Sequence, residues 1–514
     1  MQNVKLFAGP SRDVSFFLLI SYILSKCLLV IKVVFAIISG EGYGNMQIKL
    51  DNVGIVKNSS IDINGLTVIT GANNSGKSTV GKAAYALVRS VENYEFKAMI
   101  DRFDYAVTHL KEIPNFFPLM VKSALKSFAS TADMTLRAVF VDSKLFNDVE
   151  VSEIDNFLSS FKKALVQVDF NNVKEKETLF WGFMDDPTYS SEKFEMDKGK
   201  SIAYVDEIIQ KINDDPELEN YIKEAVRSQL DVEFSGQVAP VKEPSSKVSI
   251  EITSGGQRCM YVVLQDGGYP EGFRKVLDRK PYSNVFYIDD PFVVEDDYQF
   301  SKFALSAQHK ESFINSNIIL RHRDDLRFRL KNMQELNVWE KVQAMAKFKQ
   351  ISNRMNAVLP GTFVSENKTK FYKGTDGAKL DISNLATGAK MFSILKMLIM
   401  SGDLSERSLL ILDEPECHLH PDWQNKFAEM VVLLVKEIGC HVLLTTHSQN
   451  FLLALDAMTR QYDIKNRTNF YQAIKSDNSF VNYVDVSQDL KPIYADFVKG
   501  FSEMKNLYDN IVGM

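Results

Sequence analysis

Gly71-Ala72-Asn73-Asn74-Ser75-Gly76-Lys77-Ser78 is a complete G-x-x-x-x-G-K-S run, and its flanks decide the fold. Leu66-Thr67-Val68-Ile69-Thr70 ahead of it reads as a buried strand, and Val80-Gly81-Lys82-Ala83-Ala84-Tyr85-Ala86-Leu87 behind it reads as a helix. A strand passing through a glycine-rich turn into a helix aims backbone N–H groups and the positive helix end at phosphate. In that geometry Lys77 reaches the β- and γ-phosphates and Ser78 offers its hydroxyl to Mg²⁺. Gly71, Asn73, Asn74, Ser75, Gly76 and Thr79 complete the expected nucleotide loop. The segment predicts binding of a nucleoside triphosphate.

Outward from the loop, strands are expected at Met46–Val56 and Ser60–Ile63, with Asn64-Gly65 as a tight turn before the third strand. Residues 94–233 read mainly as helix, with apolar residues at three- and four-residue spacing such as Ile154, Phe157, Leu158, Phe161 and Leu165. No sustained heptad repeat occurs, so no long coiled-coil arm is expected. Residues 235–246 read as a linker. A hairpin pairs Val248–Thr253 with Arg258–Leu264, and Val285–Ile288 forms an apolar strand. The implied organisation is a hydrophobic extension (1–45), the start of an ATPase head (46–92), a helical insertion (93–243), a β segment (244–300), a helical segment (301–359) and the remainder of the head (360–514).

The C-terminal segment supplies the rest of a site. Leu409-Leu410-Ile411-Leu412-Asp413-Glu414 is an apolar strand ending in two acids. Asp413 would hold Mg²⁺ through water, and Glu414 would act as general base toward the attacking water. Pro421 begins a helix whose apolar stripe is Trp423, Phe427, Met430, Val431 and Leu434, and Gly439 ends it. His441-Val442-Leu443-Leu444-Thr445-Thr446 then delivers His447 to a strand end, placed to touch the γ-phosphate or the water. Upstream, Asn384-Leu385-Ala386-Thr387-Gly388-Ala389-Lys390 sets a small-residue turn at a helix start, a second anion site. One subunit has no spare phosphate for it. It makes sense closing on ATP bound to another copy.

Composition adds bounds. The 514 residues are 45% hydrophobic and 25% charged, as in ordinary globular proteins. A net charge of −6 gives no chain-wide attraction to nucleic acid. The densest basic run, Arg321 to Lys331, interleaves acids at helical spacing and reads as a solvated helix face before a phosphate-tracking surface. Cys27, Cys259, Cys417 and Cys440 form no C-x-x-C pair, which fits a reducing cytoplasm. Phe16–Ser39 is long enough to cross a bilayer, yet Lys26 and Lys32 interrupt it at costly depths. Because Met46 opens a well-formed strand, the expectation is upstream sequence from a misplaced start. A membrane anchor or a partner-binding helix are the alternatives.

The order of these motifs resembles the SMC-like branch of ABC ATPases: phosphate loop, long insertion, Leu385-Ala386-Thr387-Gly388, Leu412-Asp413-Glu414-Pro415-Glu416, His447. The run Glu416-Cys417-His418-Leu419-His420-Pro421 is similar to the OLD-type ATPases of bacterial antiphage systems, and most to the PtuA ATPases of Septu. The resemblance implies an α/β P-loop NTPase head of ABC/SMC-like type with a large, mostly helical insertion. It also implies ATP and Mg²⁺ as ligands, with Leu385, Thr387 and Gly388 as the signature contacting ATP in trans. His418 to Pro421 would be the D-loop and His447 the switch histidine. Ala386 stands where the family's signature serine is usual, so Thr387 would have to supply that hydroxyl. No particular residue is assigned as the family's Q-loop glutamine; Asp289 or Asp290 would lie near the site instead, or cap a strand. Implied partners are a homodimer or higher homo-oligomer closed through the ATP sites and a separately encoded HNH-type nuclease, through which DNA or RNA would be met. Residues 457–514 are too few for a TOPRIM nuclease module of the chain's own. A RecF-like repair or chromosome-associated ATPase is the alternative reading, and an ABC transporter subunit a more distant one.

Overall fold

The computed structural model describes residues 46–92, 190–213, 218–265, 269–275, 282–295, 319–332, 348–366, 369–476 and 479–512, with short pieces between 102 and 113 and between 158 and 167. The apolar stretch Phe16–Ser39, Cys27 and the question of heptads in the insertion lie outside those residues. Residues 45–109 with 207–514 form one compact unit. The described residues between 110 and 206 belong to another, where Leu158, Phe161 and Leu165, members of the helical pattern above, are all buried. No helix among the described residues is long and apolar enough to cross a membrane.

The strands are β1 (Met46–Asp51), β2 (Ser59–Ile63), β3 (Leu66–Thr70), β4 (Val248–Ser254), β5 (Gln257–Gln265), β6 (Tyr269–Lys275), β7 (Asn284–Ile288), β8 (Gly361–Glu366), β9 (Thr369–Gly374), β10 (Lys379–Asp381), β11 (Ser408–Asp413), β12 (His441–Thr446), β13 (Thr468–Lys475) and β14 (Val481–Asp485). The helices are α1 (Lys77–Val91), α2 (Ser191–Asn213), α3 (Leu218–Phe234), α4 (His322–Asn332), α5 (Lys349–Val358), α6 (Thr387–Met400), α7 (Pro421–Leu433), α8 (Gln449–Gln461) and α9 (Lys491–Val512).

Strands β13, β3, β12, β11 and β7 run parallel in that order, and β14 adds antiparallel to β13. Strand residues alternate between faces, so the apolar runs divide themselves between two cores. Leu66, Val68, Leu410, Leu412, Val442 and Leu444 face one, with Phe392, Phe427 and Phe451 from α6, α7 and α8. Ile69, Leu409, Ile411 and Leu443 face the other, with α1 and the antiparallel sheet β2-β1-β4-β5-β6. Gly81 sets how closely α1 lies on the parallel sheet: a Cβ there would meet Ile411 Cγ2 and the Tyr287 hydroxyl, each at 3.1 Å. A small third sheet, β10-β9-β8, is tied to α6 by the buried Lys396, whose ammonium donates to the carbonyls of Leu359 (2.8 Å) and Gly361 (2.6 Å). Burial pulls that amine down to about 8.

Two sequence expectations change here, and the Asn64-Gly65 turn gains its context. The first strand stops at Asp51 rather than Val56, because Asn52 takes φ 57° and Val53 turns back to bond Val56. Asn64-Gly65 is a tight turn but joins no hairpin. β2 pairs with β1 and β3 with β12 and β13, so the turn, with Gly65 at φ 65°, hands the chain from one sheet to another. The basic run on α4 is solvated on one side only, where Arg321, Arg323 and Lys331 are exposed. His322, Asp325, Leu326 and Leu330 are buried, and Arg323 and Arg329 are held by acids from other elements. Charge content alone does not reveal that partners from β7 and α1 converge on that helix.

Candidate functional site

Because β3, β12, β11 and β7 are parallel and in register, their C-terminal ends open at one edge, where ligands of open α/β sheets bind. The phosphate loop leaves β3 there. Asn74 and Gly76 take left-handed φ of 58° and 74°, which folds the loop back before α1. A Cβ on Gly71 would lie 2.6 Å from Ala473 Cβ and 2.9 Å from Ser75 Oγ, so only glycine leaves this concavity open. Ser75 Oγ is buried without a hydrogen-bond partner, while its carbonyl accepts from the Tyr483 hydroxyl at 2.9 Å. An open cradle with an unsatisfied hydroxyl fits a phosphate-bearing ligand. Asn73 and Ser78 are exposed beside it. Thr79 donates its backbone N–H to Gly76 and turns its side chain toward Gly54 rather than into the loop.

Lys77 is 5% exposed, and its ammonium donates to the carbonyls of Gly71 (3.0 Å) and Ala72 (3.1 Å). The same nitrogen lies 3.2 Å from Glu414 Oε1, and that oxygen lies 3.2 Å from His447 Nδ1. Burial works to raise the Glu414 carboxyl, but Lys77 and His447 outweigh it and hold the group below the usual carboxylate range. The Glu414 backbone sits at φ 51°, a left-handed conformation that costs a non-glycine residue of order 1 kcal/mol. Its N–H bonds to the Thr445 carbonyl at 3.1 Å, which sustains the kink.

Asp413, next to it, is anchored twice. Thr445 Oγ1 donates to Oδ1, and the buried Tyr287 hydroxyl donates to Oδ2 at 2.9 Å. Tyr287 also lies 3.5 Å from the Ser78 carbonyl, so one phenol touches both the strand end and the loop. Behind Asp413, the buried Glu416 accepts from Thr446 Oγ1 (2.6 Å) and from the His447 N–H (3.2 Å), fixing the β12 terminus against the β11 turn. Burial raises the Glu416 carboxyl.

The structure therefore brings together Lys77, Ser78, Asp413, Glu414 and His447. Leu385, Thr387 and Gly388 lie at the start of α6, half-buried, with Ala386 exposed. A Cβ on Gly388 would meet Leu419 Cδ2 at 3.1 Å and Trp423 Cε3 at 3.3 Å, so the small-residue turn packs directly on the His418–Pro421 loop. Asp290 caps the short turn after β7 by accepting from the Phe292 N–H. Asp289, one register step past Ile288 and level with Asp413, is held by Arg323 and His322. Sequence reasoning missed Tyr287 and Thr445 as supports of Asp413. The available signal was a phenol and a hydroxyl near the C-terminal ends of two mostly apolar strands.

A sequence-family profile described as "AAA domain, putative AbiEii toxin, Type IV TA system" matches residues 178–454, over half of the 514. The chain belongs to this family. The match contains Leu385–Gly388, Asp413, Glu414 and His447, while the phosphate loop lies upstream of it. Together they define a P-loop ATPase domain of the AAA type. No curated protein sequence matches the chain. Solved structures similar to it include the SMC head domain from Thermotoga maritima, at 10% identity and TM-score 0.33, covering 86% of this chain and 99% of that one. An Smc head domain with an extended coiled coil bound to the C-terminal domain of ScpA, from Pyrococcus furiosus, matches at 10% identity and TM-score 0.30, covering 89% and 100%.

Proposed function

We propose that this AAA-family chain hydrolyses ATP as a nucleotide-dependent switch, with Glu414 as general base. The carrying observation is Glu414 Oε1, 3.2 Å from both the loop lysine and the His447 imidazole, on a strained backbone at the edge of the parallel sheet. The residues present fit a Mg-nucleotide: Ser78 and Asp413 would hold Mg²⁺, which would neutralise phosphate charge. Asn73, Asn74, Ser75, Gly76 and Lys77 would line the phosphates. Phosphates at the loop compete for Lys77. As its ammonium turns to them, Glu414 loses the cation that most lowers its pKa and becomes a better base. His447 orients the carboxylate and the water it activates.

Two copies would complete each site, with Leu385, Thr387 and Gly388 of one closing on the ATP of the other. The close packing of Gly388 on Leu419 supports this, because signature and D-loop then move as one piece. The antiphage role, the Septu-like arrangement and a separate HNH-type nuclease rest on the Glu416–Pro421 run and on the toxin named in the family description.

The test is Glu414→Gln, which keeps shape but cannot accept the water's proton. Turnover should fall about 10²–10⁴-fold. Light scattering with ATP and Mg²⁺ should show a dimer that the wild-type chain forms only transiently. A variant that stays monomeric with ATP bound would remove the shared-site mechanism. One that hydrolyses normally would remove Glu414 as base.

A further inference from the structure

Cys417 has no part in the hydrolytic reading, yet it faces the two residues on which that reading depends. Its Sγ lies 3.7 Å from Glu414 Oε2, and Glu414 Oε1 lies 3.2 Å from His447 Nδ1. One donor atom from each of the three residues can be chosen so that all lie within 4.8 Å of one another. Zinc bonds of about 2.0–2.1 Å to nitrogen and oxygen and about 2.3 Å to sulfur give tetrahedral edges of roughly 3.3–3.5 Å. The two measured separations end on different Glu414 oxygens, and for one donor atom per residue the set lies within 4.8 Å, so a small closing rotation of these side chains brings it to those edges.

The donors sit on a built frame. Cys417 N–H bonds to the Glu414 carbonyl at 3.2 Å, closing a turn that sets both side chains at the β11 end. Glu416 holds the neighbouring β12 end through Thr446 and the His447 N–H. Cys417 and His447 are exposed and Glu414 half-buried, so an ion has access from solvent and a fourth position is left for water. Thiol, imidazole and carboxylate together suit a borderline-soft metal. Magnesium takes oxygen ligands and does not select this set.

We propose that Glu414, Cys417 and His447 form a Zn²⁺-class transition-metal site, separate from Ser78 and Asp413, whose occupation switches hydrolysis off. The inhibition rests on the hydrolytic reading of Glu414 and His447; the site itself does not. Lys77 opposes a cation here while it lies 3.2 Å from Glu414 Oε1. A nucleotide that draws Lys77 to its phosphates therefore strengthens metal binding.

The full chain is titrated with Co²⁺ alone, then with Co²⁺ and a non-hydrolysable ATP analogue. A thiolate-to-cobalt charge-transfer band should appear, saturate near one ion per chain and tighten with the analogue. Cys417→Ser should abolish it, His447→Gln should weaken binding by at least about tenfold, and Zn²⁺ should displace the cobalt. In parallel, Zn²⁺ at saturating Mg²⁺ should suppress wild-type hydrolysis. For Cys417→Ser, the zinc concentration giving half-inhibition, scaled to that variant's own rate, should rise by at least about tenfold. No band, or a band that survives Cys417→Ser through another cysteine, overturns the site and leaves the hydrolytic reading standing. A band lost in Cys417→Ser and weakened in His447→Gln, with hydrolysis indifferent to zinc, overturns the switch and counts against that reading.

Discussion

Two clusters of charge share the ATPase unit, and they are built in opposite ways. On the α1–α4 side, Glu92, Arg89, Asp325 and Arg329 close on one another: Arg329 bonds both Glu92 oxygens (3.0 and 2.8 Å) and Asp325 Oδ2 (2.9 Å), and Arg89 bonds Asp325 Oδ1 (2.8 Å). At the sheet edge, Lys77, Glu414 and His447 meet through a single oxygen, half open to solvent and on a strained backbone. The first cluster satisfies its charges internally. The second leaves Glu414 and His447 partly open to solvent, as the proposed nucleotide site requires. Charge density does not separate structural from functional clusters here; exposure, strain and unsatisfied atoms do.

Tyr287 links the sheet-edge site to α4. Its hydroxyl holds Asp413, and its ring stacks on His322 at 4.2 Å between centroids and 20° between planes. Both imidazole nitrogens of His322 face carboxylates, Glu233 Oε2 at 2.6 Å and Asp289 Oδ2 at 3.1 Å, an arrangement that favours the doubly protonated ring. Burial opposes that charge, but the two acids overcome it and push the pKa up to about 9.

If the closed cluster is structural, Arg329→Met should cost about 3–5 kcal/mol in denaturant unfolding, because two acids lose a buried partner. Nucleotide affinity of the folded fraction should be nearly unchanged. A loss of affinity without loss of stability would break the comparison. Conversely, Lys77→Ala should leave unfolding within about 1 kcal/mol of wild type and weaken ATP binding about 10–100-fold, the scale of charge-assisted hydrogen bonds to phosphate. Calorimetric titration measures it, and unchanged affinity would remove the phosphate-loop assignment.

The bridging residue should show a mixed signature. Tyr287→Phe keeps the stack and removes the bond to Asp413, so the Mg²⁺ concentration for half-maximal turnover should rise about tenfold, with a stability loss near 1 kcal/mol. An unchanged Mg²⁺ dependence would make Tyr287 purely structural. The most gradual effect is in pH. His322 titrates higher folded than unfolded, so its stabilisation is full below about pH 6.5 and is lost as pH rises through about 9. Between pH 7 and 9 wild type should lose at most about 1 kcal/mol per pH unit more than His322→Gln. Parallel pH curves for the two proteins would show the imidazolium contributes nothing.

Local chemistry was legible in the sequence where backbone and side chain act at short range. The G-x-x-x-x-G-K-S loop, the apolar strand ending at Asp413-Glu414, the Pro421 helix start and the Gly439 stop, reached through a π-helical turn over Leu434–Ile438 and observed at φ 81°, each depend on neighbours in the chain. The two cores also follow from period-two alternation in β3, β11 and β12. Tertiary structure alone decided the rest. Asn64-Gly65 looks the same whether it closes a hairpin or passes between sheets, because pairing partners are chosen over long distances by burial. Arg321–Lys331 looks like a wet surface until Glu92, Asp289 and Glu233 arrive from α1, β7 and α3. Glu414, Cys417 and His447 become neighbours because β11 and β12 lie side by side in register, bringing residue 447 within bonding distance of residue 414.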